Sequence, residues 1–481
     1  MASLLSLAPE IFNLITSCLG VTDLVKLAQT CKHCHLTLLA RIYKLDIIST
    51  QRALSWAVIH GFSSIARKSI EAYEALGMRI PRRCFRVGRF VYNYDWTEER
   101  EQNQQGLFYL QIAVQDRRRD LAALLLEHGF DPDDKDFDGH TALHYAAKHK
   151  DHLMVDLLLG AGCMVDVKNR VGTTPLMYAA ELGNLKALER LLFRGADAKA
   201  ADRSGATALQ RSLKGRNTDI IKLLLKYGAN INAEDSNGFS PLMHAACIGR
   251  VNSMRTLINH GADLSRSGHK ALAEAVRHDH EAAVRLLLQR RVSIQETFAG
   301  QTVLHLAARY SSVAIVDILL SAGADADATD CSGTTPLFAA CVRPDGKALA
   351  IVRFLLDHGA STHIASVSGE QAFHRAVKAQ NIVLIEELLV RGTIEVGATD
   401  RKGRAGIHYA SKEGNIDVVR YLISSGALPN ATDAHGRTAA HYALSNGHLD
   451  VFQCLREAGA DIGRKDCFGY TAADICGLGF V

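Results

Sequence analysis

The residues with the most chemical potential in this chain are cysteines and histidines. Cys31-x-x-Cys34, with His33 and His35 alongside, has the spacing of half a zinc site, in which two thiolates fill two of four tetrahedral positions. A structural zinc needs a second ligand pair, and none follows nearby, so no metal is expected there. His140 and His144 stand four apart, the separation of two imidazoles sharing a metal on one helix face, but His140 falls in an expected turn and only His144 in a helix. His144, His305, His374, His408 and His441 recur at one position of a repeated pattern, which makes them helix-start hydrogen-bonding residues rather than catalysts. No phosphate-cradling glycine loop, Gly-x-Ser-x-Gly elbow or carboxylate pair stands out. The expectation is a binding protein without catalytic residues or cofactor.

The elements that would position these residues are set by size and periodicity. At 481 residues the chain exceeds the length at which one hydrophobic core stops growing, so it must divide into domains or repeat a small unit. A 48% hydrophobic and 22% charged composition is that of a folded chain without low-complexity tracts. A net charge of +4 lacks the broad basic footprint of a dedicated nucleic-acid binder. Met1 to Leu7 carries no basic head and is broken by Pro9 and Glu10, unlike a secretory signal, and no span reaches the roughly 20 apolar residues of a membrane helix. The chain is therefore expected in the cytoplasm or nucleus, with its 11 cysteines reduced and the Asn430-Ala431-Thr432 sequon unused.

Glycines recur at Gly139, Gly172, Gly205, Gly238, Gly268, Gly300, Gly333, Gly369, Gly403, Gly436 and Gly469, a register of 33 residues with small slips that means a solenoid. Around them runs Asp-x-x-Gly, Thr-Pro-Leu or Thr-Ala-Leu, Ala-Ala, then Leu-Leu and Gly-Ala, most fully at Asp136 to Gly162 and Asp330 to Gly359. Asp and Gly suit a tight turn, Thr can cap a first helix, and Pro175, Pro241 and Pro336 fit its first position. Apolar residues at helical spacing, such as Ile416, Val419, Leu422 and Ile423, build a second helix that Gly426 ends. A pair of short helices cannot bury its apolar stripe alone, so units must stack.

From about residue 104 to the end this pattern resembles the ankyrin family, which implies an all-α solenoid of about eleven helix-turn-helix units joined by short β-hairpin loops, with Asp466 to Val481 as a partial cap. The register departs near Gly268, three residues short, at Arg343-Pro344-Asp345-Gly346, and in the eighth unit, which lacks Thr-Pro-Leu. Residues 46–103 read as a divergent first unit, echoed by Ala53-Leu54-Ser55-Trp56-Ala57, with a polar inserted loop over 79–103.

Residues 1–45 follow another pattern: three amphipathic helices built on Ile11, Leu14, Ile15, Cys18 and Leu19, then Leu24, Leu27 and Ala28, then Leu36, Leu39 and Tyr43. Leu7-Ala8-Pro9-Glu10-Ile11, Asp23-Leu24 and Thr30-Cys31-Lys32 resemble an F-box. That resemblance implies docking onto the Skp-family adaptor of an SCF-type cullin ubiquitin ligase, through Leu7, Pro9, Glu10, Ile11, Leu14, Ile15, Leu24 and Leu27. The alternative is an ankyrin scaffold or adaptor whose N-terminal helices only cap the stack.

One residue per repeat, just after the recurring histidine position, should line the concave face. The target-binding candidates there are Tyr145, Tyr178, Arg211, His244, Arg375, Tyr409 and Tyr442, types that dominate binding hot spots, although each tyrosine could equally serve only to pack on its neighbour. Arg170, Arg203, Arg401, Lys402 and His435 at the turns would favour an acidic partner. Arg79, Arg82, Arg83, Arg86 and Arg89 are expected to be solvated or to pair with the acidic run from Asp131 to Asp138. The reading is a ubiquitin-ligase receptor for a target protein, contacting neither membrane nor nucleic acid.

Overall fold

The computed structural model of the chain describes residues 53–75, 80, 108–343, 346–392 and 394–475. The F-box-like segment, its adaptor-binding residues, Cys31, Cys34 and the arginine cluster lie outside the described residues. The chain forms two compact units, Met1–Phe239 and Ser240–Val481.

Each unit is a succession of helix pairs. In the first unit the pair Ala142–Lys148 and His152–Gly160 is followed by Pro175–Glu181 and Leu185–Phe193, then by Ala208–Ser212 and Thr218–Lys226. First helices pack on first helices and second on second, which makes two layers. The first helices present small residues to the interface, so that Ala146, Ala147, Ala179 and Ala180 are wholly buried, while Met154, Val155 and Leu158 fill the second layer. The divergent echo forms a pair of its own, Ala53–His60 and Ser63–Ala75. Arg118 ties it to the array, its guanidinium donating to the carbonyl oxygens of Val58 and Ile59 at 2.9 Å.

Helix starts follow the capping chemistry. Thr174, Thr207, Ser240 and Thr335 hydroxyls accept from the backbone N–H three residues on, and Pro175, Pro241 and Pro336 occupy the first helical position. Asn184, Asn381 and Asn415 cap second helices the same way.

The hairpins are shorter than the family implies, reduced to turns closed by single backbone bridges such as Ala201 with Thr207 and Thr432 with Thr438. One turn is missing altogether. Gly268 lies buried inside a 14-residue helix, Leu264–Arg277, and is not a turn glycine. Ala271 follows Asp263 by only eight positions where Ala208 follows Asp197 by eleven, which leaves no room for a turn. Asp263 instead caps the helix early, accepting from the N–H groups of Ser265 and Arg266 at 2.9 and 3.1 Å.

Elsewhere neighbouring tips touch backbone to backbone. In the first unit Arg170 N–H donates to Asp138 O at 2.8 Å, Arg203 to Val171 at 3.0 Å and Ser236 to Ser204 at 2.9 Å. Gly172 is required at this approach: its φ is +83°, and a Cβ there would lie 2.8 Å from the Arg203 nitrogen. Gly162 has the same φ of +83° with nothing within 4 Å. Gly162→Ala should therefore cost about 1 kcal/mol and Gly172→Ala up to about 3 kcal/mol in urea unfolding, since only the second adds a clash to backbone strain. Equal losses would show that the tip contact imposes nothing beyond φ.

Candidate protein-binding face

The repeated histidines occupy the third position of their helices, and each ring works at both ends. In the first unit His144 Nδ1 accepts the Thr141 N–H at 3.0 Å, and Nε2 reaches the Thr173 carbonyl of the following repeat at 3.1 Å. In the second unit Nε2 of His305, His374, His408 and His441 reaches Thr334, Ala398, Ala431 and Tyr470 carbonyl oxygens at 2.8, 3.0, 3.0 and 3.2 Å. Gln111 and Gln210 do the same with an amide. Gln210 Oε1 accepts from Thr207 N–H at 2.8 Å while its Nε2 donates to Ala233 and Phe239 carbonyls at 3.2 and 2.8 Å.

The binding candidates sit against this row. Tyr145, Tyr178, Arg211, His244, Arg375 and Tyr442 are half-buried, whereas Tyr409 is only 2% exposed. His144 lies edge-on to Tyr178, His374 to Tyr409 and His408 to Tyr442, with centroids 6.1, 5.8 and 5.6 Å apart. The phenols are held by an aspartate nine residues earlier: Tyr145 donates to Asp136 at 2.7 Å, Tyr409 to Asp400 at 2.6 Å and Tyr442 to Asp433 at 2.8 Å. Arg211 uses the same register, donating to Asp202 at 2.6 Å, and also reaches Glu181 on the preceding repeat. The other oxygen of each aspartate accepts turn N–H groups, as Asp136 does from Asp138 and His140 at 2.9 and 2.8 Å.

In the first unit His140 brings two candidates together, its Nε2 lying 2.9 Å from the Tyr178 hydroxyl and its ring 5.7 Å from that of Tyr145. In the second, the Tyr409 ring carries Lys378 and Arg404 at 4.5 and 4.7 Å, and Glu370 lies 3.1 Å from its hydroxyl. Burial raises the Asp136 carboxyl, but hydrogen bonds from His140 and Tyr145 outweigh it and hold the pKa at about 2. Burial, reinforced by Asp433, pushes the Tyr442 phenol to about 12.

The face thus combines a pre-ordered base with exposed tips. Arg170, Arg203, Arg401, Lys402 and His435 all point to solvent, joined in the first unit by Phe137 and Val171, 60% and 57% exposed, and in the second by Val367 and Phe468, 59% and 63% exposed. The acidic run is largely occupied locally: Asp131 accepts from Asp133 N–H at 2.9 Å and Asp133 from Met164 N–H at 3.0 Å. Asp136 and its counterparts were not singled out from sequence as partners of the tyrosines, although the nine-residue Asp-to-Tyr spacing would have shown them.

The family comparison agrees with this architecture. The profile of ankyrin repeats (3 copies) matches residues 86–169, 150–235, 228–297, 290–366 and 373–466. A putative ankyrin repeat protein of fowlpox virus is 30% identical over 132 residues, 27% of this chain and 89% of that protein. Human neurogenic locus notch homolog protein 1 is 33% identical over 129 residues, 27% of this chain but 5% of its own length. Human Rabankyrin-5 is 32% identical over 137 residues, 28% of this chain and 12% of its own. A crystal structure of the human ASB11 ankyrin repeat domain superposes with a TM-score of 0.42 at 23% identity, covering 45% of this chain and 97% of that one. Among the described residues no helix is long and apolar enough to cross a membrane.

Burial lowers the His144 pKa from the ordinary 6.5 to about 4, and lowers His305, His374 and His408 in the same direction. Folded His144 therefore binds fewer protons than unfolded His144 in that window, so its contribution is complete above about pH 6.5 and is lost as pH falls towards 4. His144→Gln, which keeps both hydrogen bonds without the titration, should remove about 2 kcal/mol of the stability lost between pH 7.5 and pH 5 in urea melts. An unchanged pH profile would mean that the imidazole is not held neutral.

Proposed function

We propose, on the premise that this chain belongs to the ankyrin-repeat family, that it is the target-holding subunit of an SCF-type cullin ubiquitin ligase. Ankyrin repeats are protein-interaction modules, and here they would hold the target against the tips and the half-buried Tyr and Arg row. Residues 1–45 would dock on the Skp-family adaptor. The chain contributes proximity and orientation, not chemistry, by bringing target lysines near a charged conjugating enzyme elsewhere in the complex.

The observation that carries this reading is the pairing in one chain of the F-box-like Leu7-Ala8-Pro9-Glu10-Ile11 segment with repeat stacks whose tips expose Arg, Phe and Val to solvent. Pre-ordering supports it further: Tyr145 and Tyr442, already fixed by Asp136 and Asp433, lose little side-chain entropy when a partner covers their rings, whereas Tyr409 is buried and serves only to support the face. Basic tips favour a target with an acidic surface.

Co-purification with a Skp-family adaptor tests the assignment. The full chain should retain the adaptor, whereas Pro9→Ala/Ile11→Asp and a chain of residues 46–481 should both lose it while keeping helical circular dichroism. Failure of the full chain to bind would leave a protein-interaction scaffold without a ligase role.

A further inference from the structure

We propose that Cys247, Glu274 and His278 form a zinc-binding site that clamps two successive repeats of the second unit. Cys247 ends the helix Pro241–Cys247, Glu274 lies in the last turn of Leu264–Arg277, and His278 caps that helix. The two helices pack directly on each other. One ligand atom from each residue lies within 4.8 Å of the other two, and His278 Nε2 is 3.6 Å from Glu274 Oε2. Tetrahedral zinc with bonds of about 2.0–2.3 Å separates its ligand atoms by roughly 3.3–3.8 Å, so closure needs shifts of about 1 Å.

The surroundings favour a cation. The Glu274 side chain is only 5% exposed and stands beside a thiol, and a buried carboxylate is costly without positive charge nearby. Arg277 is the adjacent cation and its charge reaches Cys247, but its guanidinium lies over the Phe298 ring at 5.3 Å. A thiol binds zinc as its thiolate, so uptake at Cys247 would release a proton. Thiolate, imidazole and carboxylate together suit zinc rather than calcium or magnesium. His278, 45% exposed, opens the site to solvent and leaves the fourth position to water.

The backbone around the ligands is already pinned. His280 Nε2 donates to the Cys247 carbonyl at 3.0 Å, and the His278 ring stacks on His280 at 6.2 Å. Because the donors come from two repeats, no linear ligand motif announces them. The site occupies the repeat whose turn is missing, so the metal would tie that helix to its neighbour where a tip contact cannot.

Cobalt(II) titration of the full chain tests the site, in a Cys31→Ser/Cys34→Ser background that removes the other clustered thiols. One equivalent of Co2+ should produce a near-ultraviolet thiolate-to-cobalt band, which Zn2+ then displaces. Cys247→Ser should abolish the band, and His278→Gln, at a half-exposed position, should weaken Zn2+ binding on the order of 10- to 100-fold with helical circular dichroism kept. No band, or a band that survives Cys247→Ser, would overturn the proposal and leave a hydrogen-bonded polar cluster.

Discussion

The repeats that lack a leading proline are held in register by one two-ended hydrogen bond, made by the third residue of a first helix. An α-helix opens with N–H groups that have no partner of their own, and a stack must fix the spacing of units that share no covalent link beyond the chain. The His144 ring answers both needs, accepting from Thr141 at its own helix start and reaching Thr173 in the next unit. Gln210 is interchangeable with it because an amide also offers an acceptor and a donor at opposite ends. Where proline occupies the first position, methionine or phenylalanine takes the third, as in Met177, Met243 and Phe338. Those helices begin with a preset φ and a hydroxyl cap, so they dispense with the second tie. Asp474 performs only the inward half, accepting from Thr471 N–H at 2.8 Å with no donor to send onward when ionised.

The aspartate found at most of the described turns extends the same economy to the face. One carboxylate closes its own turn with two N–H groups and still steers a tyrosine or arginine nine residues later. The side chains best suited to contact another protein are therefore held by the groups that shape the turns. Replacing such an aspartate would disturb turn and face together, so the two properties are tied in this chain.

Much of this was legible in the order of residues. The 33-residue period, the proline positions and the hydrogen-bonding character of the recurring histidines rest on local rules that the structure follows, and the hydroxyl caps hold at Thr174, Thr207, Ser240 and Thr335 but not at Thr141 or Thr438, where the histidine ring takes the helix-start N–H instead. The turn predicted at Gly268 fails because a glycine marks a turn only where the chain is long enough to make one, and Asp263 caps the helix first. The aspartate-to-tyrosine bonds were missed because they join a turn to a helix, two elements read separately. The Cys247, Glu274 and His278 cluster was missed for a stronger reason: its members meet only through stacking. The F-box-like residues lie outside the described structure, so there the sequence pattern alone speaks.

The ties of the recurring rings and of the tips run from one repeat to the next and no further, as Arg203 to Val171 and His408 to Ala431 illustrate. A unit is consequently a removable part. A gene that duplicated or dropped one whole repeat would hand on a chain in which each remaining ring and tip meets an equivalent partner, while a break within a repeat would orphan both neighbours. Length is the trait that heredity can alter most freely in such a protein.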